Sequence, residues 1–356
     1  IGEAEDALLE FVEKYEQTGA LPTDVKNLWV KRENKIHRKP LRRLKGDLDI
    51  LPFPDRSIFD RRHLELKYPG TTLLTSRGCP FSCSMCINHY LQKLYKGLGN
   101  YTRFRSVDNI FEEIQSVREE YKVQRLFFID DTFTVNHVRL EEFCQRYRKE
   151  VDMPFLIMGR CNTVTRDLIE KLAKAGCVYI GFGVESGNPH IRNDVLNRGM
   201  DETAIVNAFK WSREAGIRTA SYNMLGIPGE TRGMMFDTIR LNRKIRPDIT
   251  QTTLLYPFPK TEIYEEAKLK GLIAAPPSEN LRNYYANSIV RIEGMNSRQL
   301  YALEMCVPMY VNLPRFLWPL VRFAEWLISR YPKLGFFATV LRKKILERKF
   351  FKEMTG

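Results

Sequence analysis

Three cysteines in one short stretch carry the clearest chemical signal of the sequence. Cys79, Cys83 and Cys86 follow the spacing C-x-x-x-C-x-x-C. Cysteine thiolates hold iron–sulfur cubanes, and three thiolates on one loop can bind three irons of a [4Fe-4S] cluster. The remaining iron then has an open position, which is how reactive metal sites differ from closed structural ones. The spacing therefore predicts a [4Fe-4S] cluster that can bind a small molecule.

A structural zinc ion is the main alternative for these cysteines. Structural zinc is usually held by four ligands that come from paired C-x-x-C or Cys/His elements. The sequence has no second pair of that kind. We therefore favour the iron–sulfur interpretation.

The elements that must position this loop follow a regular pattern from residue 71 onward. Short apolar, β-branched runs alternate with longer segments of helical periodicity, which is typical of parallel βα units. Six such units predict an α/β fold, and the family resemblance described below implies a partial (β/α)6 TIM-like barrel with a helical C-terminal extension. The predicted strands are Thr71–Arg77, Arg125–Ile129, Pro154–Met158, Val178–Val184, Arg218–Met224 and Ile249–Tyr256. The predicted helices are Val107–Tyr121, Val138–Val151, Arg166–Ala175, Glu202–Ala215 and Arg232–Ile245, with Thr165 and Asp201 as N-caps and Gly176 and Gly216 as helix stops.

Polar or glycine-rich clusters follow the predicted strands at equivalent positions. In parallel barrels, catalytic groups lie at the C-terminal ends of the strands, and the cysteine loop follows the first strand. A single carboxylate at such a position is often only a helix cap or a solvent-facing charge, but six clusters in one register favour a shared site. After strands two to six the clusters are Asp130–Asp131, Arg160–Asn162, Glu185–Gly187, Gly226–Glu230 and Tyr256–Pro259.

The cysteine spacing and its setting resemble the radical S-adenosylmethionine (SAM) superfamily over about residues 65–260. In that family the open iron binds the amino and carboxylate groups of SAM. Reductive cleavage of SAM then gives a 5′-deoxyadenosyl radical that abstracts hydrogen from a substrate, while the protein supplies positioning and excludes water. The resemblance implies [4Fe-4S] and SAM as cofactors, and an external electron donor of the flavodoxin or ferredoxin type.

The same resemblance assigns further residues to SAM binding. Glu185 and Ser186 are expected at the ribose or the methionine amino group, and Arg160 at the methionine carboxylate, with a surface ion pair as the alternative for Arg160. Met85 stands where the family commonly has an aromatic residue against the adenine, and its polarizable sulfur can fill that space. The full set of expected cofactor-binding residues is Asp130, Asp131, Arg160, Glu185, Ser186, Gly226 and Gly229.

The two ends of the chain narrow the resemblance to the cobalamin-dependent branch. Residues 2–12 and 47–56 resemble the tail of a cobalamin-binding domain and its linker, and none of the five histidines lies in a D-x-H-x-x-G context. We therefore expect a fragment that lacks most of the cobalamin domain, with cobalamin as a further cofactor of the parent protein. The expected domains are the tail and basic linker at 1–64, the barrel at 65–275, and a helical, basic and aromatic extension at 276–356.

Charge and cysteine usage set limits on partners and compartment. The net charge of +13 is concentrated in residues 26–45 and 315–356. Basic residues interleaved with aromatics around a catalytic face would indicate nucleic acid. Because the excess charge lies in two end segments instead, a nucleic-acid partner is not favoured.

The other four cysteines are scattered, which fits a reducing compartment such as the cytoplasm. No run approaches the roughly 20 apolar residues of a spanning helix.

The C-terminal stretches 316–328 and 336–344 alternate bulky apolar and basic residues at helical spacing. Such helices can lie in a membrane interface, which would make peripheral membrane contact and a lipid-like substrate attractive. Aromatic stripes of helical period more often mark core packing, and we favour packing across the barrel or on the missing cobalamin domain.

The sequence as a whole predicts a radical SAM enzyme that acts on a small-molecule or lipid-like substrate. Its expected reaction is hydrogen abstraction for cobalamin-dependent methylation or a rearrangement. The alternatives are a cobalamin-independent radical enzyme that modifies RNA, whose binding would depend strongly on salt, and a non-catalytic metal-binding scaffold.

Overall fold

A six-stranded parallel sheet organises the protein. The structure, a computed structural model, describes residues 1–58, 70–121, 123–277 and 288–331. The order of the sheet is β10-β9-β8-β7-β6-β3, with every neighbouring pair parallel. The strands are β1 (Trp29–Arg32), β2 (Lys35–Arg38), β3 (Thr71–Leu73), β4 (Ser76–Arg77), β5 (Arg103–Phe104), β6 (Leu126–Phe128), β7 (Phe155–Gly159), β8 (Cys177–Glu185), β9 (Arg218–Leu225) and β10 (Ile249–Leu254).

Helices connect the strands of this sheet, as parallel pairing requires. Thr165 and Asp201 cap their helices as predicted, by accepting hydrogen bonds from Leu168 N and Ala204 N. Gly176 ends its helix in the left-handed conformation. The helices are α1 (Glu5–Thr18), α2 (Ile87–Leu94), α3 (Val107–Glu120), α4 (His137–Glu150), α5 (Arg166–Ala175), α6 (Glu202–Glu214), α7 (Arg232–Ile245), α8 (Glu262–Leu269), α9 (Ser297–Asn312) and α10 (Trp318–Arg330). The predicted partial (β/α)6 barrel with a helical C-terminal region is confirmed.

The first predicted strand is shorter than expected. The sequence run Thr71–Arg77 divides into β3, which pairs with β6, and β4, which leaves the sheet and pairs antiparallel with β5. This hairpin-like pair begins the path of the cysteine loop. The prediction of one continuous strand was therefore wrong at its C-terminal end.

Side-chain alternation gives the sheet two different faces. One face packs on helices α3–α6 in the main hydrophobic core, which contains Leu126 and Phe128 of β6 and Ile180 of β8. The opposite face, here called the inner face, carries Phe127, Leu156, Tyr179, Ala220 and Tyr222. Residues two apart on a strand share a face. Consecutive residues at the end of a strand therefore point to opposite faces of the sheet.

The two ends of the chain contact the barrel by different means. Near the N-terminus, Glu3 forms an ion pair with Arg103 of β5, whose side chain is almost fully buried. At the other end, α9 and the inner side of α10 bury a second hydrophobic cluster against β10 and α7. Glu325 of α10 fixes this packing with hydrogen bonds of 2.6 and 2.8 Å to Arg232, and it also accepts one of 2.9 Å from Tyr310. In the part of the chain that the structure describes, no helix is long and apolar enough to cross a membrane.

Candidate metal and cofactor site

The cysteine loop lies between β4 and α2, at the C-terminal end of the sheet. Gly78 begins it with φ +80°, and a Cβ there would lie 2.4 Å from the Tyr101 carbonyl oxygen, so the position requires glycine. The backbone N–H of Cys86 donates to the Cys83 carbonyl at 3.0 Å. The Gln92 amide donates to the carbonyls of Cys79 and Phe81. These bonds curl the loop, and its thiols lie near one another, since the charges of Cys83 and Cys79 both act on Cys86.

The three thiols differ in exposure. Cys83 is buried, whereas Cys79 and Cys86 are partly exposed. Burial raises the pKa of the Cys79 thiol and of the Cys86 thiol, and the Asp131 carboxylate adds to the effect at Cys79. A coordinated metal deprotonates a thiol, and Cys86 stands at the N-cap of α2, where the helix dipole favours a thiolate.

The donor set of the loop fits a cluster with three protein ligands. Cys79, Cys83 and Cys86 are all free thiols, and each thiolate of a cubane binds a different iron. Among the described residues, no group of three His, Cys, Asp or Glu side chains is placed to hold one metal ion.

Two guanidinium groups meet at the Cys83 sulfur. Arg160 Nη1 donates to Cys83 Sγ at 3.3 Å, and Arg198 Nη1 does so at 3.5 Å. Arg160 lies 3.9 Å above the ring of Phe81 and donates to Asn162 Oδ1 at 2.8 Å. Arg160 is 4% exposed, so the alternative of a surface ion pair was wrong. Burial and the Arg198 charge both lower the pKa of Arg160.

Glu185 completes this charged cluster. It ends β8 at a register shift with φ +66°, a conformation that non-glycine residues rarely adopt. Its Oε1 lies 3.7 Å from Arg198 Nη2. Burial raises the pKa of Glu185, and the charges of Arg198 and Arg160 oppose the rise. A Cβ on Gly183 would lie 2.5 Å from Glu185 Oε1 and 2.9 Å from Arg198 Nη2, so glycine leaves the room that this pair occupies.

Arg198 can donate one more hydrogen bond than it makes to the described residues. Its Nη2 donates to the Gly183 carbonyl, but its buried Nε has no hydrogen-bond partner within the described structure. A buried donor without a partner is energetically unfavourable. An anionic ligand beside the cysteine loop would satisfy it.

The two aspartates after β6 face opposite ways. Asp130 continues the alternation of Leu126 and Phe128 toward the helices and is 1% exposed. It accepts hydrogen bonds from Thr75 N at 3.1 Å, from Thr75 Oγ1 at 2.9 Å, and from Ser76 Oγ. Asp130 thus anchors the chain that leads into the cysteine loop. Asp131 is exposed and lies close enough for its charge to raise the pKa of Cys79.

Ser186 is also turned away from the cysteine loop. It is fully buried, its hydroxyl lies 3.4 Å from Thr238 Oγ1 of α7, and it accepts from Asn188 N at 3.2 Å. The same turn is held by Arg192, which donates to the Ser186 carbonyl at 2.9 Å. These contacts give Ser186 a place in the packing of the turn.

The predicted glycine turn after β9 is closed by a buried carboxyl group. Gly226 and Gly229 have φ +76° and +79°. Glu230 Oε2 accepts from Gly226 N at 2.8 Å and from Ile227 N at 3.2 Å. Burial raises the pKa of Glu230 to about 8, although the two N–H groups favour its ionised form. The other oxygen of Glu230, Oε1, is buried and has no partner within the described structure.

An apolar cluster includes Met85 of the cysteine loop. Met85 is partly buried and packs against a group that includes Ile227, Leu255, Ile191 and Leu196. Apolar side chains of this kind can pack on the face of a nucleobase. The position is consistent with the substitution of methionine for the aromatic residue expected from the resemblance.

Sequence reasoning missed Arg198, the residue that joins Cys83 to Glu185. The cluster after strand four was read only as far as Gly187, although the connection continues to the N-cap at Asp201. Two basic residues in that connection, Arg192 and Arg198, were a usable signal. Thr132 was also missed, and its hydroxyl lies 3.6 Å from Cys79 Sγ.

Comparison with known proteins identifies a domain within the chain. Residues 73–241 match the model of the radical SAM superfamily. These residues form a radical SAM domain. Members of this superfamily bind a [4Fe-4S] cluster and SAM, and the cysteine loop described above lies inside the matched residues.

Relatives share the sequence over most of this chain. An uncharacterized methyltransferase of Pyrococcus horikoshii is 28% identical over 305 residues, which cover 85% of this chain and 64% of the relative. The anaerobic magnesium-protoporphyrin IX monomethyl ester cyclase of Cereibacter sphaeroides is 26% identical over 278 residues, which cover 75% of this chain and 44% of the cyclase. The chain therefore spans about half to two thirds of the length of these relatives.

A solved structure shares the fold at lower identity. The radical SAM enzyme OxsB, solved with aqua-cobalamin and SAM bound, gives a TM-score of 0.66 at 13% identity, and the match covers 97% of this chain and 58% of OxsB. At this identity the likeness concerns the fold alone.

Proposed function

We propose that this chain is the catalytic barrel of a cobalamin-dependent radical SAM methyltransferase. The observation that carries the proposal is the meeting of Cys83, Arg160, Arg198 and Glu185 beside the other two loop cysteines. Cys79, Cys83 and Cys86 would each bind one iron of a [4Fe-4S] cluster. A scaffold that only bound metal would have no need for two buried guanidiniums with an unfilled donor next to the loop.

The charged cluster fits the amino-acid end of SAM. Arg198, with its unpartnered Nε, and Arg160 would bind the methionine carboxylate, because planar guanidinium forks match carboxylates. Glu185 would accept a hydrogen bond from the methionine amino group or the ribose. Met85 and Ile227 would pack on the adenine. When bound, the cluster and SAM supply reductive cleavage to a 5′-deoxyadenosyl radical.

The glycines on the inner face of β8 would let the site residues pack closely against the strand. A Cβ on Gly181 would lie 2.6 Å from the ring of Tyr222, and a Cβ on Gly183 would lie 2.5 Å from Glu185 Oε1. The barrel walls would exclude water from the radical, while an external flavodoxin or ferredoxin type of donor would supply the electron. A reducing, cytoplasmic location would suit this chemistry, and the scattered positions of the four cysteines outside the loop fit it.

Cobalamin and methyl transfer are inferred from relatives. One relative is named as a methyltransferase and OxsB binds cobalamin. Since the chain spans only part of these proteins, residues 1–64 would serve as the tail and linker of a cobalamin domain, 65–275 as the barrel and 276–356 as the extension. An RNA substrate has no comparable support.

The test is an anaerobic assay of SAM cleavage. The full chain is reconstituted with iron and sulfide, reduced, and given SAM with and without methylcobalamin. We expect 5′-deoxyadenosine, and we expect single Ala substitutions of Cys79, Cys83 or Cys86 to abolish it. Cys306→Ser is the matched control, because Cys306 is fully buried in the C-terminal cluster and should leave iron content and product unchanged.

Each outcome of this assay bears on a different part of the proposal. Product from any loop-cysteine variant would refute the cluster assignment. Four irons per chain with no SAM cleavage, also when a longer protein with the cobalamin domain is used, would favour the scaffold alternative. Product that is unaffected by methylcobalamin in that longer protein would refute the cobalamin assignment.

A further inference from the structure

Helix α10 has two sides with apolar residues, and within the described part of the chain only one of them is covered. Val321, Glu325 and Ile328 form the inner side and pack on the C-terminal cluster. The outer side carries Phe323 and Trp326, which are 58% and 57% exposed and whose rings stack with centroids 5.8 Å apart. Leu320 extends this side and is 66% exposed, and Phe316, in the short 3-10 turn before the helix, is 78% exposed. Leu320, Phe323 and Trp326 follow one another at intervals of three residues, which places them along one helix face.

This outer surface, formed by Phe316, Leu320, Phe323 and Trp326, is here called the aromatic stripe. Solvent-exposed single apolar residues are ordinary, but a contiguous exposed stripe indicates a binding surface.

The exposed charges within residues 315–331 have one sign. Arg315, Arg322 and Arg330 are exposed and lie along or at the ends of the helix. The one carboxylate between residues 315 and 331 belongs to Glu325, which is buried and bound to Arg232. The outer side of α10 therefore presents aromatic and cationic groups without an exposed acid.

The sequence beyond the helix continues the same composition. Residues 332–356 contain seven Lys or Arg against two Glu, together with Phe336, Phe337, Phe350 and Phe351. Apolar side chains combined with basic ones are typical of helices that lie in the plane of a membrane interface. Basic groups near such a surface are attracted to anionic lipids.

We propose that the outer side of α10 docks this protein on an anionic phospholipid surface. The aromatic stripe enters the boundary between headgroups and acyl chains, and the arginines remain at the phosphate level. The inner side of α10 stays on the barrel, so the catalytic mouth is held at a fixed position relative to the lipid. This inference does not depend on the proposed methyl transfer.

The test is co-sedimentation of the full chain with vesicles of two compositions. One is phosphatidylcholine alone, and the other is phosphatidylcholine mixed with an equal amount of phosphatidylglycerol. We expect binding to the anionic vesicles, weakened by salt, and a blue shift of Trp fluorescence. The double variant Phe323→Ser/Trp326→Ser should bind about tenfold or more weakly, because burial of each aromatic side chain is lost.

Trp29→Ser provides the matched control. Trp29 is 53% exposed on the β1–β2 hairpin and should leave vesicle binding unchanged. The urea midpoint of the double variant should match the parent, since both replaced side chains lie outside the core. Equal binding to neutral vesicles, or no binding to anionic ones, would overturn the proposal. If the chain self-associates without vesicles and the double variant does not, the aromatic stripe binds a second copy of the chain. That result would also overturn the lipid-docking proposal.

Discussion

Replacement of Glu230 by Gln should remove a large pH dependence of stability. The carboxyl group is 1% exposed, and its Oε2 accepts the N–H groups of Gly226 and Ile227. Glutamine keeps the size of the side chain and one carbonyl oxygen for these bonds. It cannot ionise, so the variant isolates the effect of charge at this position.

The expected size follows from the pKa of Glu230, which burial raises from 4.5 to about 8. Between these values the folded chain keeps a proton that the unfolded chain has released. The folded state favours the protonated carboxyl group of Glu230. The unfolding free energy is therefore not reduced by this group below pH 4.5, and it falls as the pH rises from 4.5 toward 8. At about 1.36 kcal/mol per pKa unit, the wild type should lose about 5 kcal/mol of unfolding free energy over that interval.

Urea unfolding of both proteins at a series of pH values measures this difference. We expect Glu230→Gln and wild type to be similar near the acid end of the interval, and the variant to be the more stable one by several kcal/mol above it. Other titrating groups affect both proteins equally and cancel in the comparison. Glu112→Gln, an exposed side chain of α3, should leave the wild-type profile unchanged. A constant difference between Glu230→Gln and wild type at all pH values would refute the reasoning.

Three further substitutions test other contacts. Gly183→Ala should weaken SAM binding about tenfold in equilibrium titrations without loss of iron, because its Cβ would lie 2.5 Å from Glu185 Oε1. Unchanged affinity would show that Glu185 and Arg198 do not bind SAM. Glu325→Ala should lower the unfolding free energy by roughly 2 kcal/mol in urea, since the arginine on α7 loses both hydrogen bonds; an unchanged midpoint would contradict this. Asp130→Ala should reduce iron per chain after reconstitution, because the donors that lead into the cysteine loop lose their acceptor. The control Asp131→Ala changes an exposed side chain and should retain the iron. Equal iron contents in the two variants would contradict the anchoring role of Asp130.

The sequence predicted the sheet and its helices closely, because local patterns determine them. The helices Arg166–Ala175 and Arg232–Ile245 have the predicted bounds, and each of the six predicted strands overlaps an observed one. The error at Ser76–Arg77 arose from a long-range contact. These residues look like a continued strand, but they pair with β5 some 26 residues later, which no local pattern reveals.

The site was only partly predictable. The cysteine spacing located the loop, since three ligands close in sequence need little help from the fold. The orientation of Asp130 could have been predicted, because Leu126, Phe128 and Asp130 alternate along one face of the strand. The prediction missed this orientation because it treated Asp130 and Asp131 as one cluster. Arg198 reaches Cys83 across 115 residues of sequence, so its contact depends on the assembled barrel.

The uneven burial of the cysteines makes the loop open to chemical labelling. Cys144, Cys161, Cys177 and Cys306 are all buried, as is Cys83, which leaves the other two loop thiols as the partly exposed ones. A short pulse of an alkylating reagent should therefore modify only the loop in the native protein, and a bound cluster should protect it. Mass spectrometry of the resulting peptides would then report the fraction of chains that carry a cluster, which would be useful for preparations damaged by air.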